Sequence, residues 1–136
     1  MPLGVLSGKY AGRQVVVTGG LGFIGSNLAL RLAGLGANVR ILDSSLPGCG
    51  ANPANIPADA RNISIIHAGI CSGEPVEAAV RDADIIFNLA GEVSHVHSMK
   101  NPARDLEQNT LAHQSFLQTV AAVRPGVRVV YAGTRQ

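Results

Sequence analysis

Short β-branched runs alternate along the chain with stretches in which apolar residues recur every three or four positions. Gln14-Val15-Val16-Val17-Thr18 is apolar on both faces and ends in glycine, the pattern of a strand buried in a parallel sheet. Apolar residues then fall at Phe23, Ile24, Leu28, Leu32 and Leu35, which is helical spacing, with Gly34 and Gly36 as the stop. Val39-Arg40-Ile41-Leu42 predicts a second strand ending at Asp43, Ile63 to His67 a third, Asp84 to Leu89 a fourth and Val127 to Tyr131 a fifth. Glu74 to Arg81 reads as a short helix with Pro75 in its first turn. A long helix is expected from about Pro102 to Val123, marked by Leu106, Leu111, Phe116, Leu117 and Val120.

Parallel strands need crossovers, and right-handed crossovers with helices between them give a doubly wound α/β sheet. The expected strand order is 3-2-1-4-5, with the sheet truncated after its fifth strand. Residues 1–13 carry three glycines and no clear period, and are expected to be a lead-in to a single domain over 14–136. Residues 44–62 hold Pro47, Pro53 and Pro57 among Gly, Ser and Asn; so long a loop is expected to be functional or mobile.

Composition narrows the partners. The chain has 136 residues, a net charge of +2 and no Lys/Arg block, which gives no reason to expect nucleic acid. No apolar run reaches the roughly 18 residues of a membrane span. Cys49 and Cys71 lie far apart without CxxC spacing and read as two reduced thiols, so a cytoplasmic location is expected.

The chemistry lies in Thr18-Gly19-Gly20-Leu21-Gly22-Phe23-Ile24-Gly25, which follows a strand and opens a helix. Gly19 permits the tight turn, Gly22 removes a Cβ that would block phosphates, and Gly25 lets the helix pack on the sheet. The helix N-terminus offers N–H groups and a positive dipole end to a pyrophosphate. Asp43, at the end of the second strand, can accept hydrogen bonds from the adenosine ribose and would repel a 2′-phosphate, favouring NAD over NADP. The alternative for Asp43 is a turn-forming Asp before Ser44 and Ser45. Arg40 precedes it but does not obviously face the ribose.

Thr-Gly-Gly-x-Gly-Phe-Ile-Gly resembles the extended short-chain dehydrogenase/reductase family, the NAD-dependent nucleotide-sugar epimerases and dehydratases with a Rossmann fold. The resemblance runs from Gln14 to Gln136. Asn88-Leu89-Ala90-Gly91 is similar to the family segment after strand four, and Asn109 matches the Asn of its Asn-Val-x-Gly-Thr helix. Val129 to Thr134 resembles the end of strand five, where Thr134 falls at the catalytic Ser/Thr position; the plain alternative is a Thr in a strand-end turn. The resemblance implies NAD as cofactor, held by Gly19, Gly22, Phe23, Ile24, Gly25, Asp43, Ser44, Ile70, Leu89, Ala90, Gly91 and Asn109. It also implies a nucleotide-sugar substrate for the parent enzyme.

Three departures qualify this. The family's Tyr-x-x-x-Lys base is missing: Tyr10 and Tyr131 are followed four residues later by Gln14 and Arg135. The chain therefore reads as the N-terminal part of a longer enzyme, not catalytically competent alone. The alternative is a non-catalytic module that binds or senses nicotinamide nucleotides. Gly69 stands where an Asp often accepts from adenine, leaving Ile70 to pack on the ring. Ala112-His113 replaces Gly-Thr and is expected to change packing only. His95 and His97 would share one face of a strand, but a loop is expected there and no metal site. An open edge at the fifth strand predicts self-association as a homo-oligomer.

Overall fold

A computed structural model describes residues 8–92 and 94–133. Strands β1 (Gln14–Thr18), β2 (Asn38–Asp43), β3 (Ile63–His67), β4 (Ile85–Asn88) and β5 (Arg128–Tyr131) form one parallel sheet in the order β3-β2-β1-β4-β5. The helices are α1 (Phe23–Gly34), α2 (Glu74–Val80), α3 (His95–Lys100), α4 (Pro102–Leu106) and α5 (Ala112–Val123). The expected doubly wound order is therefore the observed one. Thr18 lies beside Leu42 and Asn88, and Asn88 beside Tyr131, so the strands finish in one row. The connections diverge between β1 and β4, leaving a crevice above that row.

Alternation within β1 assigns the layers, since neighbouring side chains point to opposite faces. Val15 and Val17 pack with Leu21, Ala29, Leu32 and Ile41, under α1. Val16 packs with Leu42, Ile86, Val76, Val80 and Phe116, under α2 and α5. Both faces of β1 are closed to water, which is why its sequence shows no polar alternation.

The opposite ends of the central strands are pinned by charge. The Asp84 carboxylate accepts the Gln14 N–H at 2.9 Å and pairs with Arg13 at 3.2 Å. These bonds, the backbone N–H foremost, hold its carboxyl below the usual range. Arg40 pairs with Asp82 and also reaches Gln14 and the Ala79 carbonyl, so it is committed away from the end of β2.

Three segments differ from expectation. The long helix is divided: Asn101 caps α4 by accepting the Arg104 N–H, and a π-helical turn over Glu107–Leu111 joins α4 to α5. The extra residue of a π turn shifts the helical phase, which a simple apolar period does not register. The His95–Lys100 segment is a short helix rather than a loop, started by Ser94, whose hydroxyl accepts the His97 N–H. Residues 44–62 contain a 3-10 turn, Pro53–Asn55, capped by the Asn52 side chain, and Ile56 is buried in the α1 core.

Phe116 has no exposed surface, whereas its neighbour Leu117 is 47% exposed. Urea unfolding is expected to show a loss of about 3–5 kcal/mol for Phe116→Ala and a change within about 0.5 kcal/mol for Leu117→Ala.

Candidate functional site

The chain must turn at Thr18 to enter α1. Gly19 makes that turn at φ +64°, a conformation that strains any residue with a Cβ. A Cβ there would also lie 2.9 Å from backbone atoms of Leu89 and Ala90. At Gly25 a Cβ would overlap the Gly19 carbonyl and crowd Gly20. Gly25 thus seats α1 on its own preceding turn, a tighter constraint than the helix–sheet contact expected. Gly22 caps α1 without a side-chain hydrogen bond, and the first helical turn holds no acidic residue. The first N–H groups of α1 and the positive end of its dipole are left for an anion.

Asp43 is 8% exposed at the end of β2. One carboxylate oxygen accepts the Leu21 N–H at 3.0 Å, and the other accepts the Ser45 N–H at 2.9 Å. Asp43 is therefore the turn former before Ser45 and, at the same time, part of the crevice wall. Each oxygen keeps a further lone pair for a ligand hydroxyl. The Leu21 carbonyl accepts from the Asn52 N–H at 3.0 Å and from the Asn55 side chain at 2.9 Å. These two bonds strap the long loop onto the Gly-rich turn. Sequence reasoning missed Asn52 and Asn55; the unusual loop length was the available signal.

A cleft of about 570 Å³ opens above the strand ends. Gly19, Gly22, Phe23, Ile24 and Gly25 line it, with Asp43, Ser44 and Ile70 on the β2–β3 side and Leu89, Ala90 and Gly91 on the β4 side. Leu46, Cys49, Ala51 and Gln108 line it as well, and none of these was assigned to the site from the sequence. Gly69 borders the cleft with no side-chain acceptor, as expected. Asn109 stands behind the wall rather than in the cleft: its side-chain oxygen accepts the Glu92 N–H, and its amide donates to the Glu92 carbonyl and to Asp105. Thr134 lies outside the described residues.

The segment after β4 is tied down further. The Glu92 carboxylate is nearly buried and pairs with His97 and Arg104, each at 3.3 Å. Among the described residues no cluster of His, Cys, Asp or Glu is arranged to hold a metal ion. Beneath the cleft, Thr18 donates to the Asn88 side-chain oxygen at 2.7 Å and accepts the N–H groups of Leu89 and Ala90 at 3.1 Å. The Asn88 amide meets His113 Nδ1 at 3.0 Å. The change at His113 is thus more than the packing difference expected, because it enters a buried hydrogen-bond network.

The fold and cleft define a doubly wound dinucleotide-binding domain. The profile of the NAD dependent epimerase/dehydratase family matches residues 15–136, and the chain belongs to that family. It is 32% identical over its whole length to UDP-glucuronic acid decarboxylase 2 of Arabidopsis thaliana, of which it spans 28%. It is 26% identical to CDP-paratose 2-epimerase of Salmonella typhi, with 90% of this chain and 37% of the relative covered. Among solved structures, the epimerase Mth375 of Methanothermobacter thermautotrophicus superposes with a TM-score of 0.86 at 34% identity, covering 98% of this chain and 38% of that one. The Bordetella bronchiseptica enzyme WbmF in complex with NAD+ gives 0.79 at 31% identity, over 90% of this chain and 36% of that one. The chain spans about a third of the length of these proteins.

Two chemically identical substitutions in α1 should separate in sign. A Cβ at Gly34 meets nothing within 4 Å, so Gly34→Ala should stabilise by roughly 0.4–1 kcal/mol. Gly25→Ala should destabilise by roughly 2–3 kcal/mol, because the turn must shift. Thermal unfolding of the two variants checks both.

Proposed function

We propose that this chain is the NAD-binding part of a nucleotide-sugar epimerase- or dehydratase-type enzyme. The observation that carries the reading is a single cleft shared by a Gly-rich turn, an uncapped helix N-terminus and the carboxylate that ends β2. The size of the cleft, about 570 Å³, lies within the range of small-molecule sites. The N–H groups at Phe23 and Ile24 receive the pyrophosphate, brought close by Gly19, Gly22 and Gly25. Asp43 and Ser44 take the adenosine ribose, Ile70 the adenine, and Leu89, Ala90 and Gly91 flank the nicotinamide side. Asn109 supports the last of these from behind.

Bound NAD supplies a hydride acceptor and, once reduced, a donor. The residues of this chain bind and orient it, and Thr134 is assigned as the hydroxyl that holds the reacting sugar oxygen. A nucleotide-linked sugar is the substrate class that relatives such as UDP-glucuronic acid decarboxylase and CDP-paratose 2-epimerase support by name. Neither Tyr10 nor Tyr131 carries the Tyr-x-x-x-Lys pattern, so the isolated chain should bind without turning over. Two unpaired thiols among the described residues support a cytoplasmic setting, and no described helix is long and apolar enough to cross a membrane.

Calorimetric titration tests the cofactor assignment. NAD should bind more tightly than NADP by roughly tenfold or more, a difference of about 1.4 kcal/mol or greater. Asp43→Asn should weaken both, because its NH2 must face the Leu21 or the Ser45 N–H, and should narrow the gap between them by removing the charge that faces the 2′-phosphate. Equal affinity of the unaltered chain for both would overturn the role of Asp43.

The edge position of β5, with Val130 and Tyr131 exposed, supports self-association through strand pairing. Sedimentation should show mass increasing with concentration; a sharp monomer at high concentration would contradict it.

A further inference from the structure

The proton positions under the cleft follow from the hydrogen bonds one atom at a time. Thr18 Oγ1 accepts two backbone N–H groups, from Leu89 and Ala90, so its single hydroxyl proton goes to Asn88 Oδ1. That orients the Asn88 amide: Oδ1 accepts, and Nδ2 donates. Nδ2 faces His113 Nδ1 at 3.0 Å, so Nδ1 is the bare, accepting nitrogen and the imidazole proton sits on Nε2. A proton added at Nδ1 sets two donors against each other in a buried site, where an unsatisfied polar group is costly.

The surroundings favour the neutral ring. His113 is buried, and burial lowers its pKa, while a hydrogen bond with the Ala90 backbone acts in the opposite direction. Tyr131 of β5 packs edge-on against it, with ring centroids 5.5 Å apart. Asn88 of β4, its hydrogen-bond partner, is uncharged, and so is Thr18 of β1 beyond it. Its neighbours along α5, Gln114 to Val123, carry no charge, and the preceding acid is Glu107 in the π turn. Among the described residues no charged side chain contributes to its titration.

We propose that neutral His113 is a positioning residue of the cofactor cleft: through Asn88 and Thr18 it fixes the Leu89–Ala90 backbone, and protonation releases that wall and weakens cofactor binding. The ligand in this statement rests on the NAD reading above; the proton state of His113 does not. The direction follows from the lowered pKa. The folded state favours the neutral form, so its contribution is complete above the ordinary imidazole value of about 6.5 and is lost as pH falls through the folded-state value.

Two measurements decide it. Nitrogen-15 NMR of the ligand-free chain at pH 7.5 should show a bare Nδ1 and a protonated Nε2 for His113. The amide signals of Leu89 and Ala90 should move together with its titration as pH falls. Calorimetry with NAD should show a dissociation constant that is flat above about pH 6.5 and rises by up to roughly tenfold as pH falls through the range in which NMR shows His113 to titrate, the scale of one lost buried hydrogen bond. His113→Gln, whose side-chain oxygen can still accept from Asn88, should hold the affinity within about twofold over that range. A proton on Nδ1 at pH 7.5, amides that ignore the titration, or an unchanged pH slope in His113→Gln would each overturn the proposal. If NAD binds at no pH, the cofactor reading fails. The ligand-free titration then still decides His113: coupled amides support its positioning role, and uncoupled ones refute it.

Discussion

Where Gly19 meets Leu89 and Ala90, backbone passes backbone with no room for a side chain between them. This contact sets how close the Gly-rich turn comes to the end of β4, and so sets the depth of the cleft. Thr18, one residue earlier, reinforces it by accepting both N–H groups of the β4 segment on one hydroxyl. Asp43 completes the arrangement from β2 by accepting the N–H of Leu21. Three strand ends are thereby joined through one short turn, and a displacement of any of them moves the cleft wall.

The start of α1 breaks a local rule of helix stability. It has no side-chain cap and no acidic residue in its first turn, though either would help an isolated helix. α2 also starts at a glycine without a side-chain cap, but Glu74 and Glu77 lie in its first turn, whereas α1 has neither device; such a conflict marks a place kept for something else. Asn52, Ser94 and Asn101 all cap their elements with side chains, so capping residues are available to this sequence where no ligand competes. An anion at the head of α1 would resolve the conflict, and on the proposed reading the neighbouring Asp43 would limit which anion fits.

Sheet order and the Gly-rich turn were legible in the sequence because both rest on local signals. Val15-Val16-Val17 is buried on both faces and reads as an unbroken apolar run, and a glycine at φ +64° leaves its mark as a glycine. Contacts remote in sequence were not legible. Nothing near Asn55 announces that it will bond to Leu21, and nothing near His113 shows that Asn88 will present an amide to it. Asp43 was open to two readings because a turn former and a ribose acceptor need the same carboxylate; the structure gives it the first role and leaves lone pairs for the second. The π turn escaped because one extra residue alters helical phase without altering composition.

The central claim is that one cleft, floored by the Gly-rich turn and walled by Asp43 and the segment after β4, receives NAD. Mapping amide chemical-shift changes as NAD is added to the isotopically labelled chain tests it most directly. The account predicts saturable shifts concentrated at Gly19 to Gly25, at Asp43 to Ser45 and at Leu89 to Gly91, with residues 124–128 and the outer face of α5 unmoved. Shifts confined to other surfaces, or none at saturating NAD, would contradict it.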